Sequence, residues 1–204
     1  MYWQLNRLQF PVYNLGPGKR LAIWVQGCSL GCKGCINPEL WESLGGKKIH
    51  LQQLAASLLP VISQFDGITI TGGEPFRQYE QLIAFCSFLK QKLNINILVY
   101  SGFTIDQLIE NHPDKIFLSC IDHLVDGPYL QNHGEKNSLR GSSNQNFFTF
   151  ESGKIIQTEP FAKTEKWSIN VENEQTIFMA GIPGEDEMKR LKERLMKTGI
   201  KTNF

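Results

Sequence analysis

Three of the chain's five cysteines, Cys28, Cys32 and Cys35, crowd into the run Gly27-Cys28-Ser29-Leu30-Gly31-Cys32-Lys33-Gly34-Cys35. Thiols this close together, with glycines between them, make poor core material, so the chain around them must fold into a frame that presents the loop. The preceding segment, Leu21 to Gln26 (Leu-Ala-Ile-Trp-Val-Gln), reads as a buried strand that runs straight into it. Cys86 and Cys120 stand alone. An odd cysteine count in a 204-residue chain long enough to bury a core is a poor disulfide framework. Met1 to Phe10 lacks the basic-then-apolar pattern of a secretory signal. These features predict reduced thiols, a metal site and a cytoplasmic location. No apolar run approaches membrane-spanning length. Lys+Arg 21 against Asp+Glu 20 leaves a net charge of +1, which argues against a general polyanion binder, so neither nucleic-acid nor membrane binding is expected.

Downstream, strand and helix patterns alternate. Leu51, Leu54, Ala55, Leu58, Leu59, Ile62 and Phe65 recur at helical spacing, with Pro60 as a kink. Gly67 to Thr71 is strand-like and stops at Gly72-Gly73-Glu74-Pro75. Leu82, Phe85, Cys86, Leu89 and Leu93 mark a second helix face, and Ile95 to Tyr100 a third strand ending at Ser101-Gly102. A short helix around Ile105 to Glu110 precedes a fourth strand, Ile121 to Val125, which ends at Asp126-Gly127-Pro128. This order implies parallel strands joined by helical crossovers, with the cysteines, the Gly-Gly-Glu turn, Ser101 and Asp126 on one rim. After residue 130 the pattern changes. Gln131 to Gln145 reads as a polar loop, and Phe147 to Phe150, Lys154 to Thr158 and Trp167 to Val171 as short antiparallel strands. A charged helix spans about Glu185 to Lys197, with Met188, Leu191 and Leu195 on its apolar face.

The CxxxCxxC spacing suits three irons of a 4Fe-4S cube, because soft thiolates are the ligands such clusters take. A missing fourth cysteine leaves one iron open to a substrate or cofactor. Zinc with a distant histidine is the competing reading, and His50, His112, His123 and His133 are available. The second motif tips the balance. In Thr71-Gly72-Gly73-Glu74-Pro75, paired glycines permit close backbone approach and the carboxylate beside them can receive an ammonium group.

Together these residues resemble the radical S-adenosylmethionine superfamily, over about residues 16 to 145. The resemblance implies an α/β fold, a partial (βα)6 radical-SAM barrel over residues 1–150, with a short C-terminal α+β extension, 151–204, packed on the same domain. It also implies two cofactors, a 4Fe-4S cluster and S-adenosyl-L-methionine. Cys28, Cys32 and Cys35 would ligate the cluster. Gly72, Gly73 and Glu74 would receive the methionine end, with Ser101 beside them, and the backbone of Gly34, Cys35 and Ile36 would lie near the adenine. The methionine groups would chelate the fourth iron, and one electron would cleave the C5′–S bond to give a 5′-deoxyadenosyl radical. No catalytic residue is expected beyond cluster and cofactor.

Gly16-Pro17-Gly18-Lys19-Arg20, and Asn37-Pro38 with Trp41, are similar to segments of glycyl-radical-enzyme activases. Tyr100-Ser101-Gly102-Phe103-Thr104, Asp126-Gly127-Pro128-Tyr129 and Leu139-Arg140-Gly141-Ser142-Ser143-Asn144-Gln145 resemble more particularly the activating proteins of anaerobic ribonucleotide reductase. The implied partners are a glycyl radical enzyme, such as that reductase, and a low-potential electron donor such as flavodoxin or ferredoxin. Arg140 and Asn144 are assigned either to the partner or cofactor face or to hydrogen bonding within their loop. Two departures stand out: Gly34 replaces the aromatic residue often found before the third cysteine, and Leu15 replaces the Asp often found before Gly-Pro-Gly. Two alternatives remain open. One is a radical enzyme acting on a small molecule or peptide, similar to 7-carboxy-7-deazaguanine synthase. The other is a non-catalytic iron–sulfur protein. Cys86 and Cys120 read as core thiols and Trp24 as packing.

Overall fold

The computed structural model describes residues 1–93, 95–133, 139–151, 154–158, 167–173, 176–181 and 185–197. The chain opens with β1 (Tyr2–Val12), β2 (Arg20–Val25), β3 (Lys47–His50) and α1 (Leu51–Leu58). Then follow β4 (Gly67–Gly72), α2 (Tyr79–Leu93), β5 (Asn96–Tyr100), α3 (Ile105–Asn111), α4 (Phe117–Cys120) and β6 (His123–Asp126). Antiparallel strands β7 (Asn146–Glu151) and β8 (Lys154–Thr158) come next, then the β9 (Trp167–Asn173) and β10 (Thr176–Gly181) pair and α5 (Glu185–Lys197). Pro60 acts as expected: α1 stops before it and the chain continues as a 3-10 turn, Leu59–Gln64.

Eight strands form one sheet in the order β3-β1-β2-β4-β5-β6-β7-β8. The strands β2, β4, β5 and β6 are parallel neighbours in chain order, so each crossover advances one place. Their carboxyl ends therefore share a rim. Antiparallel strands flank them on both sides, β1 and β3 on one, β7 and β8 on the other. The α/β class is as expected, but six strand–helix repeats are not what the described residues form. The sheet is mixed and open. After β6 the polar segment from Gln131 offers no apolar stripe for a crossover helix, so the chain returns as an antiparallel strand.

The period of two along each parallel strand divides the sheet into two buried faces. Leu21, Ile23, Val25, Ile68, Ile70, Ile97 and Val99 join the helix residues Leu54, Leu58, Leu82, Phe85, Leu89, Leu108 and Phe117 in the main core. The opposite face carries a smaller cluster of Ala22 and Trp24 with Val12, Leu15, Leu40, Phe178 and Ala180. Strand β10 thus lies against this face, with the Phe178 ring edge-on to Trp24 at 5.2 Å and Asn14 Nδ2 donating to the Ala180 carbonyl at 2.7 Å. Beside β5 and β6 the same face holds Leu98, Val125, Leu139 and Phe147.

At the rim opposite the cysteines, fully buried Arg20 bridges three strands. Its guanidinium donates to Thr69 Oγ1 (2.6 Å), the Ile68 carbonyl (2.6 Å), Asn96 Oδ1 (3.0 Å), the Asn96 carbonyl (3.3 Å) and the Pro17 carbonyl (3.1 Å). Burial pulls its pKa down to about 10, so it stays charged at neutral pH. Gly16, at φ +140°, leaves no room for a side chain: a Cβ there would stand 2.6 Å from Arg20 Cδ. The Gly-Pro-Gly-Lys-Arg segment is thereby a structural floor, far from the cysteine rim.

Candidate metal centre

Strand β2 delivers the cysteine loop, and the loop's base is pinned from several sides. Gly27, at φ +96°, turns the chain and donates to the Leu40 carbonyl at 2.8 Å, while Cys28 N donates to the Trp41 carbonyl at 3.1 Å. Leu40 is fully buried and closes the 3-10 turn Pro38–Leu40, so the Asn37-Pro38 and Trp41 segment serves to anchor the returning chain. The buried side chain of Gln26 donates to the Glu42 carbonyl at 2.7 Å and the Glu39 carbonyl at 3.2 Å. Inside the loop, Cys35 N donates to the Cys32 carbonyl at 3.1 Å, and Gly31 and Gly34 adopt φ +58° and +76°. A framed base and tight interior turns leave the thiols as the loop's functional content.

Cys28, Cys32 and Cys35 are all free and half-buried, whereas Cys86 and Cys120 are free and buried in the main core. Burial pushes the Cys28 thiol up. Among the described residues no three His, Cys, Asp or Glu side chains form a group that could hold a single metal ion. An iron–sulfur cube instead takes each cysteine at its own iron, and three reduced, accessible thiols on one short loop fit that donor set. Three of the four histidine side chains are elsewhere engaged. His50 meets the N-terminal amine at 3.2 Å, His112 stacks on Tyr79 at 3.6 Å, and His123 Nδ1 lies 3.1 Å from Thr149 Oγ1. His133 ends the 3-10 turn Gln131–His133.

The Gly-Gly-Glu turn at the end of β4 is stitched to this loop by main chain alone. Gly73 N donates to the Val25 carbonyl and Glu74 N to the Gly27 carbonyl, both at 2.9 Å. Gly72 sits at φ +105°, and a Cβ on Gly73 would run into the Gly27 carbonyl. Only glycine permits that approach. The Gly73→Ala substitution is accordingly expected to lower stability by about 1–3 kcal/mol through overpacking and to reduce iron uptake with it. Thermal unfolding and iron analysis check this; a protein with wild-type values for both would show that the loops can part at no cost.

Glu74 is 1% exposed. Its Oε1 accepts from Phe76 N and Ser101 Oγ, both at 3.0 Å, and its Oε2 from Gly102 N at 2.7 Å. Burial pushes the carboxyl up to about 7, against the pull of those hydrogen bonds and of Arg77. A carboxylate kept out of water and poised at neutrality has the chemistry to receive a cation. Ser101 Oγ in turn accepts from Phe103 N at 3.1 Å, which fixes the hydroxyl. Leu30 of the cysteine loop presses on Gly102, so the loop reaches the end of β5.

The structure thus gathers Cys28, Cys32, Cys35, Gly72, Gly73, Glu74 and Ser101 at one rim. Gly34, Cys35 and Ile36 form the far side of the cysteine loop, with Ile36 exposed. The Gln131 side chain covers Gly34, where a Cβ would stand 2.8 Å from Gln131 Cδ. Asp126 also sits at the rim, but both its oxygens are engaged, Oδ2 by Ile105 N (2.6 Å) and Oδ1 by the backbone N (3.1 Å) and side-chain Nδ2 (3.0 Å) of Asn146. Arg140 Nη1 donates to the Gln145 carbonyl (3.3 Å) and Asn144 Nδ2 to the Pro128 carbonyl (2.8 Å), the loop-bonding role. Sequence reasoning missed Gly102 N, Leu30 and Gln131 because each acts by backbone or by contact across distant segments, and residue type gives no sign of that.

Residues 14–148 match the 4Fe-4S single cluster domain family. The chain is 31% identical over 157 residues to the anaerobic ribonucleoside-triphosphate reductase-activating protein of Haemophilus influenzae, covering 72% of this chain and 99% of that protein. It is 30% identical over 139 residues to the protein of the same name from Escherichia coli, covering 64% and 88%. It is also 33% identical over 121 residues to the pyruvate formate-lyase-activating enzyme of Clostridium pasteurianum, covering 56% of this chain and 50% of that one.

Proposed function

The chain belongs to the 4Fe-4S single cluster domain family and, within it, to the glycyl-radical activases that include the anaerobic ribonucleoside-triphosphate reductase-activating proteins; from that premise we propose that it installs a glycyl radical on a partner enzyme of the anaerobic ribonucleotide reductase kind. Cys28, Cys32 and Cys35 hold a 4Fe-4S cluster. Gly72, Gly73 and Glu74, with Ser101, receive the amino and carboxylate end of S-adenosyl-L-methionine, and the backbone of Gly34, Cys35 and Ile36 faces its adenine. The reduced cluster, when bound, supplies the electron that breaks the C5′–S bond, and the nucleoside fragment then takes a hydrogen atom from the partner's glycine. The electron comes from a low-potential donor such as flavodoxin or ferredoxin. We further propose that the open sheet curls into a partial barrel around this site, that residues 151–204 extend the same domain, and that the protein works in the cytoplasm. Among the described residues no helix is long and apolar enough to cross a membrane.

One observation carries the reading: the free thiols of the cysteine loop and the buried Glu74 carboxylate share a rim, and the Glu74 N–Gly27 hydrogen bond of 2.9 Å ties one to the other. A cation-receiving carboxylate beside an iron site with an open position suits a ligand that brings both an ammonium group and metal-binding atoms. A passive electron-transfer module has no use for Glu74. The test is electron paramagnetic resonance on the anaerobically reconstituted, reduced protein. The cluster signal is expected to shift on adding S-adenosyl-L-methionine, with 5′-deoxyadenosine formed and a glycine-centred radical appearing when the reductase is present. A signal indifferent to the cofactor leaves only an iron–sulfur protein, and radical chemistry on a small molecule without any reductase points to the deazaguanine-synthase-like alternative.

A further inference from the structure

The cofactor site as proposed offers the adenine only main chain, at Gly34, Cys35 and Ile36, and gives no side chain a part in recognising the base. Gly34 has no side chain of its own, and the Gln131 carboxamide stands where one would be. A Cβ on Gly34 would lie 2.8 Å from Gln131 Cδ and 2.9 Å from its Oε1. Gln131 comes from the connection between β6 and β7, whereas Gly34 follows β2, so the contact joins opposite ends of the parallel strands' rim. Gly34 and Ile36 are exposed and Gln131 is half-buried, so the carboxamide borders solvent beside the cysteine loop and lies in neither core.

The backbone around Gln131 fixes its position. Gln131 opens the 3-10 turn Gln131–His133, which His133 N closes by donating to the Leu130 carbonyl at 3.0 Å. Leu130 N donates to the Oγ of buried Ser142 at 3.1 Å, and Ser143 N to the His133 carbonyl at 2.7 Å, so the turn is sewn to the loop at 140–145. The carboxamides of that loop serve the fold. Asn144 Nδ2 donates to the Pro128 carbonyl at 2.8 Å and Gln145 Nε2 to the Gly127 carbonyl at 2.7 Å, while Gln145 Oε1 accepts from Gly141 N at 2.8 Å. Gln131 is the carboxamide that this connection brings against Gly34.

We infer that Gln131 determines the base specificity of the cofactor site, its side-chain amide donating to adenine N7 and accepting from the N6 amino group. A carboxamide carries an acceptor and two donor hydrogens in one plane. That pattern complements the N6/N7 edge of adenine. Hypoxanthine presents two acceptors along the same edge, which one amide cannot meet together. The contact is neutral on both sides and leaves the charge of the methionine end to Glu74, so anchoring and base reading fall to different side chains. This assignment rests on the function proposed above.

The Gln131→Met substitution keeps the length of the side chain and removes both polar ends. Two affinities of the whole, cluster-loaded, reduced protein decide the matter, both read from the shift of the cluster signal. One is for S-adenosyl-L-methionine and the other for S-inosyl-L-methionine, whose base is hypoxanthine. The unsubstituted protein is expected to prefer the adenine form by about five- to 150-fold. The variant is expected to bind the two forms alike, through lost affinity for the adenine form, with wild-type iron content and melting temperature. An unsubstituted protein that binds both forms equally, or a variant that keeps the preference, would overturn the assignment. So would a variant that takes up less iron or weakens both forms by the same factor, because Gln131 then only props the cysteine loop. If S-adenosyl-L-methionine leaves the signal of the unsubstituted protein unmoved, the function proposed above fails and the assignment falls with it.

Discussion

The Cys32→Ala protein is expected to fold but to carry no stable iron–sulfur centre and to release no 5′-deoxyadenosine above background. Cys32 is half-buried in a loop whose base is held by Gly27, Cys28 and Gln26, and its thiol packs into neither hydrophobic core. Its removal therefore changes stability by no more than about 0.5 kcal/mol, as for other surface positions. The effect on the metal is of another order, because two thiolates on this loop leave two irons of a cube without protein ligands. Cys86→Ala provides the contrast. That thiol is fully buried on α2, next to the free thiol of Cys120. Its loss costs on the order of 1 kcal/mol through a small cavity and leaves iron content intact. Iron analysis beside a thermal melt separates the two classes. A Cys32→Ala protein with full iron would remove the cysteine trio from the site.

The second large effect is expected at Glu74. Glu74→Gln keeps the shape but turns one acceptor into a donor. In one orientation the new amide faces Gly102 N–H, and in the other it faces Phe76 N–H, which now donate to Oε2 and Oε1. The site loses both its charge and its preorganised cradle. Removing one partner of a buried charge pair typically costs about 2–5 kcal/mol, so S-adenosyl-L-methionine should bind roughly thirtyfold to several thousandfold more weakly. Titration of the cofactor against the reduced cluster signal reads this directly, and an unchanged affinity would show that Glu74 does not receive the ammonium.

The same residue sets a pH dependence. Burial raises the Glu74 carboxyl from 4.5 to about 7, so in the cofactor-free protein it gains a proton as pH falls below 7. An ammonium ligand must displace that proton, and affinity should fall by about tenfold per pH unit on the acid side of 7. For the fold the sign is opposite. The folded carboxyl binds its proton more tightly than the unfolded one, so the cofactor-free protein loses stability as pH rises from 4.5 to 7. A binding profile that is flat across neutrality would mean that the carboxylate is already charged before the ligand arrives.

Much of the rim was readable because its parts are local. The Gly-punctuated cysteine run, the paired glycines before Glu74 and the strands leading into each carry their signal within a few residues. Trp3, Gln4, Leu5 and Asn6 alternate in the same local manner, and β1 could have been found from them. The pattern fades at Arg7, where the register with β2 shifts. Strand β3 is only Lys47–His50, too short for any period to show. Arg20 reads as a surface cation, and only the approach of Thr69 and Asn96 from separate strands makes it the bridge beneath the sheet. The six-repeat expectation is not confirmed among the described residues, for a similar reason. Whether a polar segment after β6 carries a crossover or a return strand depends on what lies across from it, and Phe147 finds Val125 there.

The contact of Gly73 with the Gly27 carbonyl joins β2 and β4 through main-chain atoms. A spacing set by two backbones is indifferent to the side chains around it, so residues elsewhere on the rim can vary without changing the distance between the cysteine loop and the Glu74 turn.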